Sequence, residues 1–341
     1  MGRTGTRRAA LVLLALFAAL VAACLMGAVF GAVPVSTADV IGAVSGVLRG
    51  APLTAPQQLV MELRLPRVTL AALVGACLAA AGVLYQALFR NALADPYILG
   101  VSSGAGLGAA LAFAITGSGA LALIAPPVAA FVGALATIVL VAALATRRGV
   151  MDTLSLLLAG VAVSYTLAAL TSFVLVVRRE QMSRIVFWMM GGLQGATWTQ
   201  VGIVGAMLVV GLAVPLLFAR ELNIMLLGDE RAGELGVNVE WVKRVILAAA
   251  SLVVSAAVSV SGLIGFVGLM TPHAARLVLG PDHRLLLPAS VLSGAIVMVL
   301  ADLVARVALA PVELPVGIVT ALAGGPVFVW LLVRARRGAA L

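Results

Sequence analysis

Long apolar runs separated by short polar segments dominate the chain. Ten of them can be read, at residues 9–31, 68–89, 98–116, 120–145, 154–177, 200–219, 245–262, 264–280, 285–309 and 314–333. Each has roughly the 18 to 25 residues that a helix needs to cross about 30 Å of hydrocarbon. Because lipid does not tolerate unpaired backbone groups and the runs lack the alternation of barrel strands, each run predicts a transmembrane helix. The seventh and eighth runs divide near Ser261 and Gly262.

Composition agrees with an all-α protein that crosses the membrane many times. Hydrophobic residues make up 63% of the chain, charged residues make up 10%, and mean hydropathy is +1.20, which lies outside the range of ordinary soluble domains. The start of the chain also imitates a signal peptide, since "RTGTRR" precedes an apolar stretch that reaches "VAAC" at Cys24. We favour a first span, because the run continues to about Val33 and exceeds the ~7 to 15 residues of a signal-peptide core.

The distribution of arginine predicts the orientation, because Lys and Arg near span ends are held on the cytoplasmic side. Arginines flank both termini, at Arg3, Arg7, Arg8, Arg334, Arg336 and Arg337. With an even number of spans, both termini are expected in the cytoplasm. The same count places two groups outside, against the tendency: Arg49, Arg64 and Arg67 before the second span, and Arg178, Arg179 and Arg184 after the fifth.

The predicted spans contain few groups that could perform chemistry. Asp302 and Arg306 are four residues apart on one helix face and are expected to form an ion pair. His273 follows Pro272 and reads as a packed residue near a kink. No carboxylate lies clearly at a midplane, which disfavours a self-contained secondary carrier. The two cysteines lie inside spans, so no disulfide framework or metal site is indicated.

The chain lacks the residues to bind ATP by itself. A phosphate-binding loop of the G-x-x-x-x-G-K-[ST] kind needs a lysine, and Lys243 is the only lysine of the protein. The glycines of "GVSSGAGLGA" follow no predicted strand. Gly100, Gly104 and Gly108 are four residues apart instead, which favours close helix packing. Any energy must therefore come from a partner.

Charge is concentrated in one loop, residues 220–244, between the sixth and seventh spans. Its sequence, "RELNIMLLGDERAGELGVNVEWVKR", holds nine of the 22 basic and 13 acidic residues of the chain. Apolar residues flank "GDERAGE", a pattern that suits one or two short amphipathic helices at the membrane surface. A solvated connector is the alternative that periodicity alone leaves open.

Two long segments carry a family resemblance. They are "RLPRVTLAALVGACLAAAGVLYQALFRNALADPYILGVSSGAGLGA" and "GLIGFVGLMTPHAARLVLGPDHRLLLPASVLSGAIVMVLADLVARVALAPVELPVGIVTALAGGPVFVWLLVR", with "WMMGGL" and "LLGDERAGELGV" between them. The chain resembles the BtuC/FecCD-type permeases, the membrane subunits of ATP-binding-cassette (ABC) importers for ferric siderophores, haem and cobalamin. The resemblance implies the type II importer fold, with residues 1–341 as one permease domain and residues 220–244 as its cytoplasmic coupling loop.

The resemblance also implies partners. It predicts a homodimer, two ATPase subunits that bind ATP and Mg²⁺, and an external substrate-binding protein, in the plasma (inner) membrane of a bacterium or archaeon. The chain itself would be no enzyme, would hold no cofactor or metal and would bind no nucleic acid. Ferric siderophore is the first ligand predicted, followed by haem and cobalamin, with a small oxyanion last. The alternative class, an intramembrane enzyme or a stand-alone channel, lacks a buried Ser/His or paired-carboxylate site.

Three groups of residues receive roles from the resemblance. Docking of the binding protein is assigned to Arg64, Arg67 and Arg306, with Pro66 expected to hold the loop extended; the alternative is that these arginines anchor to lipid headgroups. A cytoplasmic gate is assigned to Asn91, Leu93, Thr153 and Leu154. Contact with the ATPase is assigned to Leu227, Gly228, Asp229, Glu230, Arg231, Glu234, Leu235 and Gly236. The sequence departs from the family pattern at Ala92, usually proline, and at Leu154, where a small hydroxyl residue can occur.

Overall fold

The fold is a bundle of helices. A computed structural model describes residues 3–31, 33, 35–116 and 120–338, with side chains for 7–31, 33, 35–116, 121 and 123–330. Its α-helices are α1 (Arg3–Val29), α2 (Thr37–Arg49), α3 (Ala55–Leu59), α4 (Leu65–Leu88), α5 (Val101–Ile115), α6 (Ala120–Ala145), α7 (Thr153–Val177), α8 (Met182–Met189), α9 (Trp198–Leu217), α10 (Ala219–Met225), α11 (Asp229–Glu234), α12 (Val239–Ser261), α13 (Val267–Leu279), α14 (His283–Val307) and α15 (Val316–Gly338). A π-helical turn (Val60–Arg64) joins α3 to α4, and a 3-10 turn (Arg179–Gln181) precedes α8. The strands β1 (Thr146–Arg147) and β2 (Val150–Met151) form a two-stranded antiparallel hairpin.

The helices confirm the predicted architecture, except that two of them are shorter than a full membrane span. Among the described residues, seven helical segments are long and apolar enough to cross a membrane, and α5, α13 and α15 occupy the other three predicted spans. Helices α5 and α13 have 15 and 13 residues, fewer than the ~20 of a full span. Each starts after a residue with positive φ, Gly100 (80°) and Phe266 (69°). The chain turns at these points, so part of each predicted span is loop.

Helix α4 forms the centre of the bundle, where it packs against α9, α12, α13 and α14. Its glycines let the backbones approach closely. A Cβ at Gly75 would lie 2.2 Å from the carbonyl oxygen of Gly294 in α14, and one at Gly82 would lie 1.8 Å from that of Gly268 in α13. Any larger side chain would therefore separate these helices. The sequence analysis did not identify these two contacts.

The close helix packing predicted from the four-residue glycine spacing is confirmed for Gly104 and Gly108, which face α6. A Cβ at Gly104 would lie 2.4 Å from the carbonyl oxygen of Gly133, and one at Gly108 would lie 2.1 Å from that of Ala129. The four-residue spacing thus serves helix packing.

Charged groups collect at the two ends of the bundle. The arginine end contains Arg64, Arg67 and Arg306, where α4 begins and α14 ends. The loop end contains residues 219–244, the β1–β2 hairpin and the starts of α7 and α14.

Candidate functional site

At the arginine end, a buried carboxylate joins two of the predicted docking arginines. Arg67 Nε donates to Asp302 Oδ1 at 2.9 Å, and Arg306 Nε lies 3.0 Å from Asp302 Oδ2. The second contact is an ion pair without hydrogen-bond geometry. Asp302 is only 1% exposed, so its charge depends on these two guanidinium groups. The predicted Asp302–Arg306 pair is confirmed, and Arg67 is an additional member that the spacing along one helix could not show.

Glu313 is a second acidic partner of Arg67, which the sequence analysis missed. Arg67 Nη1 contacts both carboxylate oxygens of Glu313, at 3.1 and 2.9 Å, and Gln194 Nε2 donates to the same carboxylate at 3.2 Å. The Glu313 side chain is 32% exposed, against 12% for Arg67. The signal that could have found it is a lone acidic residue in the loop before α15, on the same predicted side as the arginines.

Arg64 binds the end of α1. Its Nη1 donates to the carbonyl oxygens of Ala28 at 2.9 Å and Val29 at 2.5 Å, and its Nη2 donates to that of Val33. The last carbonyls of a helix have no partner within the helix, and a cation there also matches the helix dipole. Arg64 is 6% exposed and therefore acts as an internal cap in this structure.

Arg306 binds the same helix end. Its Nη2 donates to the carbonyl oxygen of Gly27 at 3.0 Å, and its Nη1 donates to that of Phe30 at 3.3 Å. Like Arg64, it is 6% exposed. The structure thus brings the three predicted docking arginines together, but inside the end of the bundle and already bound to groups of the same chain.

The expected extended conformation around Pro66 is wrong. Arg64 has helical backbone angles, φ −82° and ψ −49°, and Pro66 lies in the first turn of α4. A proline is tolerated there because the first N–H groups of a helix need no intrahelical acceptor. The π-helical turn and α4 together present Arg64 and Arg67 from a helix.

At the loop end, the charged segment folds into the short helices α10 and α11, and one buried lysine fixes it to α12. Lys243 Nζ donates to Asp229 Oδ2 at 2.7 Å and lies 3.9 Å from Glu240. Arg90, just after α4, lies 3.9 Å from the other oxygen of Asp229. Lys243 is 5% exposed and Asp229, whose side chain is 33% exposed, therefore fixes the start of α11 to a buried group of α12.

Most of the other predicted coupling residues are exposed. Glu230, Arg231 and Glu234 are exposed and, within the described chain, form no ion pair. Leu227 and Leu235 are 55% and 60% exposed. A cleft of about 590 Å³ lies between Arg90 and residues 227–231. This surface combines free charges with uncovered leucines.

The first half of the predicted gate lies in the turn after α4. Asn91 Oδ1 accepts the N–H of Leu93 at 2.9 Å, so a tight turn forms although Ala92 stands in the place of proline. Asp95 Oδ1 accepts the N–H of Tyr97 at 2.7 Å. Burial raises the pKa of the Asp95 carboxyl, which that hydrogen bond partly offsets.

The second half of the gate lies at the start of α7. Thr153 is the first residue of the helix, and Asp152 caps it by accepting the N–H of Ser155 at 2.8 Å and its hydroxyl at 2.6 Å. These hydrogen bonds lower the pKa of the Asp152 carboxyl. Leu154 is 63% exposed and Leu93 is 41% exposed. No hydrogen bond joins the two halves in the described part of this single chain.

The side chains that the structure describes include no group of three or more His, Cys, Asp or Glu placed to hold a metal ion. The polar groups of both ends instead bind backbone, bind each other or face outward.

Comparison with known proteins gives consistent matches. The FecCD transport family matches residues 18–334. The cobalamin import system permease protein BtuC of Halobacterium salinarum is 50% identical over 283 residues, covering 83% of this chain and 75% of the relative. The Fe(3+) dicitrate transport system permease protein FecD of Escherichia coli is 43% identical over 276 residues, covering 81% and 85%. A solved structure of a metal-chelate type ABC transporter in an inward-facing conformation superposes with a TM-score of 0.83 and 31% identity, over 95% of this chain and 99% of that one.

Proposed function

Because this chain belongs to the FecCD transport family and is therefore a permease subunit of an ABC importer, we propose that two copies carry a metal chelate across the plasma membrane, with a ferric siderophore as first candidate. The observation that carries the proposal is the match of family and fold over almost the whole chain. ATP hydrolysis belongs to a separate ATPase subunit. Both termini are proposed to face the cytoplasm, in accordance with the arginines that flank them.

We propose that Leu227–Gly236 is the contact surface for the ATPase. The support is that one charged residue of α11 binds the bundle while its neighbours are exposed. Asp229 is bound to buried Lys243 and fixes the helix, while Glu230 and Arg231 remain exposed. The exposed leucines supply apolar contact area, and the exposed charges fix how the partner is positioned, as in other protein interfaces.

We propose Arg67 as the residue of the arginine end that receives a carboxylate of the external binding protein. Its partner Glu313 is partly exposed and can be displaced, whereas Arg64 and Arg306 are needed at the end of α1. A guanidinium group can bind a carboxylate through two parallel hydrogen bonds. Anchoring to lipid headgroups is the alternative role.

Charge reversal separates these two roles. Arg67→Glu should weaken association with the binding protein steeply, and raised salt should do the same to the parent protein. Arg49→Glu is the matched control, because Arg49 is exposed at the end of α2 and outside the cluster. Normal association of a folded Arg67→Glu variant at physiological salt would favour the headgroup anchor.

The ligand is tested by transport in proteoliposomes that contain the chain, its ATPase and its binding protein. Cobalamin is the second candidate, because the Halobacterium salinarum relative named for cobalamin import is 50% identical. Iron-labelled ferric siderophore and cobalt-labelled cobalamin are compared for ATP-dependent uptake. Uptake of iron alone supports the first candidate, and uptake of cobalamin alone replaces it with the second. No ATP-dependent uptake of any chelate, haem included, would contradict the proposed transport.

A further inference from the structure

A long apolar cleft runs between α6 and α12 and ends at the β1–β2 hairpin. Its volume is about 640 Å³. Leu135, Ile138 and Val139 form the α6 wall, and Leu247 and Leu252 form the α12 wall. Val139 is 68% exposed, so the cleft opens on the outer surface of the bundle. In a membrane protein, apolar surface that no other subunit covers faces acyl chains.

The hydroxyl groups of the cleft wall donate to carbonyl oxygens four residues earlier in the chain. Thr146 Oγ1 donates to the carbonyl oxygen of Ala142 at 2.7 Å, and Ser251 Oγ donates to that of Leu247 at 2.6 Å. An occupant therefore meets hydrocarbon along these walls, with no buried polar group that requires a partner.

The mouth of the cleft is basic. Arg244 lines it and donates to the carbonyl oxygen of Gly149 in the hairpin. A guanidinium group has five N–H donors, and among the described residues Arg244 uses only part of them. Arg147 and Arg148 are exposed in the same hairpin. Among the residues with described side chains, no carboxylate lies within 4.0 Å of these three arginines.

The mouth of the cleft lies at the level of the lipid headgroups. The apolar span of α6, Leu123–Ala145, has 23 residues, about 35 Å at 1.5 Å per residue. That length covers the hydrocarbon core of about 30 Å. The hairpin that follows immediately must therefore lie at the level of the phosphates. Basic residues at that level attract anionic lipids.

We propose that this cleft is a binding site for an anionic phospholipid. One acyl chain lies between α6 and α12, and the headgroup phosphate binds Arg244 together with Arg147. The site couples the lipid to α12, in which Lys243, the neighbour of Arg244, binds Asp229 of the coupling segment. A bound lipid therefore stabilises the hairpin against the helix that supports α11.

Lipid retention tests the site. The chain is placed in nanodiscs of phosphatidylcholine with 20 mol% phosphatidylglycerol, re-extracted into mild detergent and examined by native mass spectrometry. We expect one phosphatidylglycerol retained per chain in preference to phosphatidylcholine. Arg147→Ala with Arg244→Ala should lower this retention about tenfold, whereas Arg220→Ala, an exposed arginine at the same end, should not change it.

A second variant probes the apolar part of the site. Ala248→Phe fills the cleft and leaves its arginines intact, so it should also lower retention. Phosphatidylglycerol should raise the melting temperature of the parent protein and not that of Ala248→Phe. Equal retention of both lipids by the parent, or unchanged retention in the double arginine variant, would overturn the proposal.

Discussion

Replacement of Asp302 by asparagine tests whether the arginine end is held together by one buried charge. Asp302 is 1% exposed and lies between Arg67 at 2.9 Å and Arg306 at 3.0 Å. Asparagine keeps the size of the side chain and removes its charge. Two guanidinium groups then lose their common partner at the point where α4 meets α14.

The expected magnitude follows from burial. Removing one partner of a buried ion pair destabilises by about 3–5 kcal/mol, because the remaining charge stays desolvated. Glu313→Gln is the matched control, since it removes a carboxylate from the same arginine, Arg67. The Glu313 side chain is 32% exposed, so water can replace it and the expected cost is about 1 kcal/mol or less.

Thermal unfolding of the purified protein in detergent measures the difference. At about 2 °C per kcal/mol for a chain of this size, Asp302→Asn should lower the melting temperature by about 6 °C or more. Glu313→Gln should lower it by about 2 °C or less. If the two variants melted within a degree of each other, the central role of Asp302 would be refuted.

Three further predictions concern the contacts with partners and the gate. Reversing the charges of Glu230 and Arg231 should lower ATPase association at least tenfold without changing the melting temperature; recovery of the ATPase at parent yield in a pull-down would contradict this. Alanine at both Asn91 and Thr153 should raise passive leak of an encapsulated ligand severalfold, and unchanged leak would place the gate elsewhere. Glu313→Gln should tighten association with the external binding protein, by up to about fivefold for ~1 kcal/mol, because a competing carboxylate is removed; titration showing weaker association would argue against displacement of Glu313.

Local spacing accounts for the correct sequence predictions. Asp302 and Arg306 pair because residues four apart share a helix face, and Gly104 and Gly108 pack for the same reason. The apolar runs predicted the positions of the helices because every span must be long enough to cross the same thickness of hydrocarbon. The order of helices and the glycine face could therefore be predicted without knowledge of their neighbours.

Contacts between distant segments of the chain account for what the sequence analysis missed. Arg67 meets Glu313 across 246 positions of the chain, and Arg64 meets the end of α1 across more than 30. Neither contact can be predicted from the spacing of residues along the chain. The error at Pro66 has a different origin, since a proline suits both an extended loop and the first turn of a helix, and only the continuous helix through the π-helical turn distinguishes them.

The sequence by itself determined the membrane class, the number of helical runs and the segments that carry charge, because hydropathy and helix periodicity are properties of adjacent residues. The resemblance of its motifs indicated the family. The tertiary structure decided which charged side chains are paired within the chain and which are exposed. Desolvation at the closely packed helix ends requires a partner for every buried charge, and Arg64, Arg306 and Lys243 have theirs within this chain. Glu230 and Arg231, outside that packing, have none among the described residues. Burial depends on which helices meet, and that is set by the packing of the whole bundle.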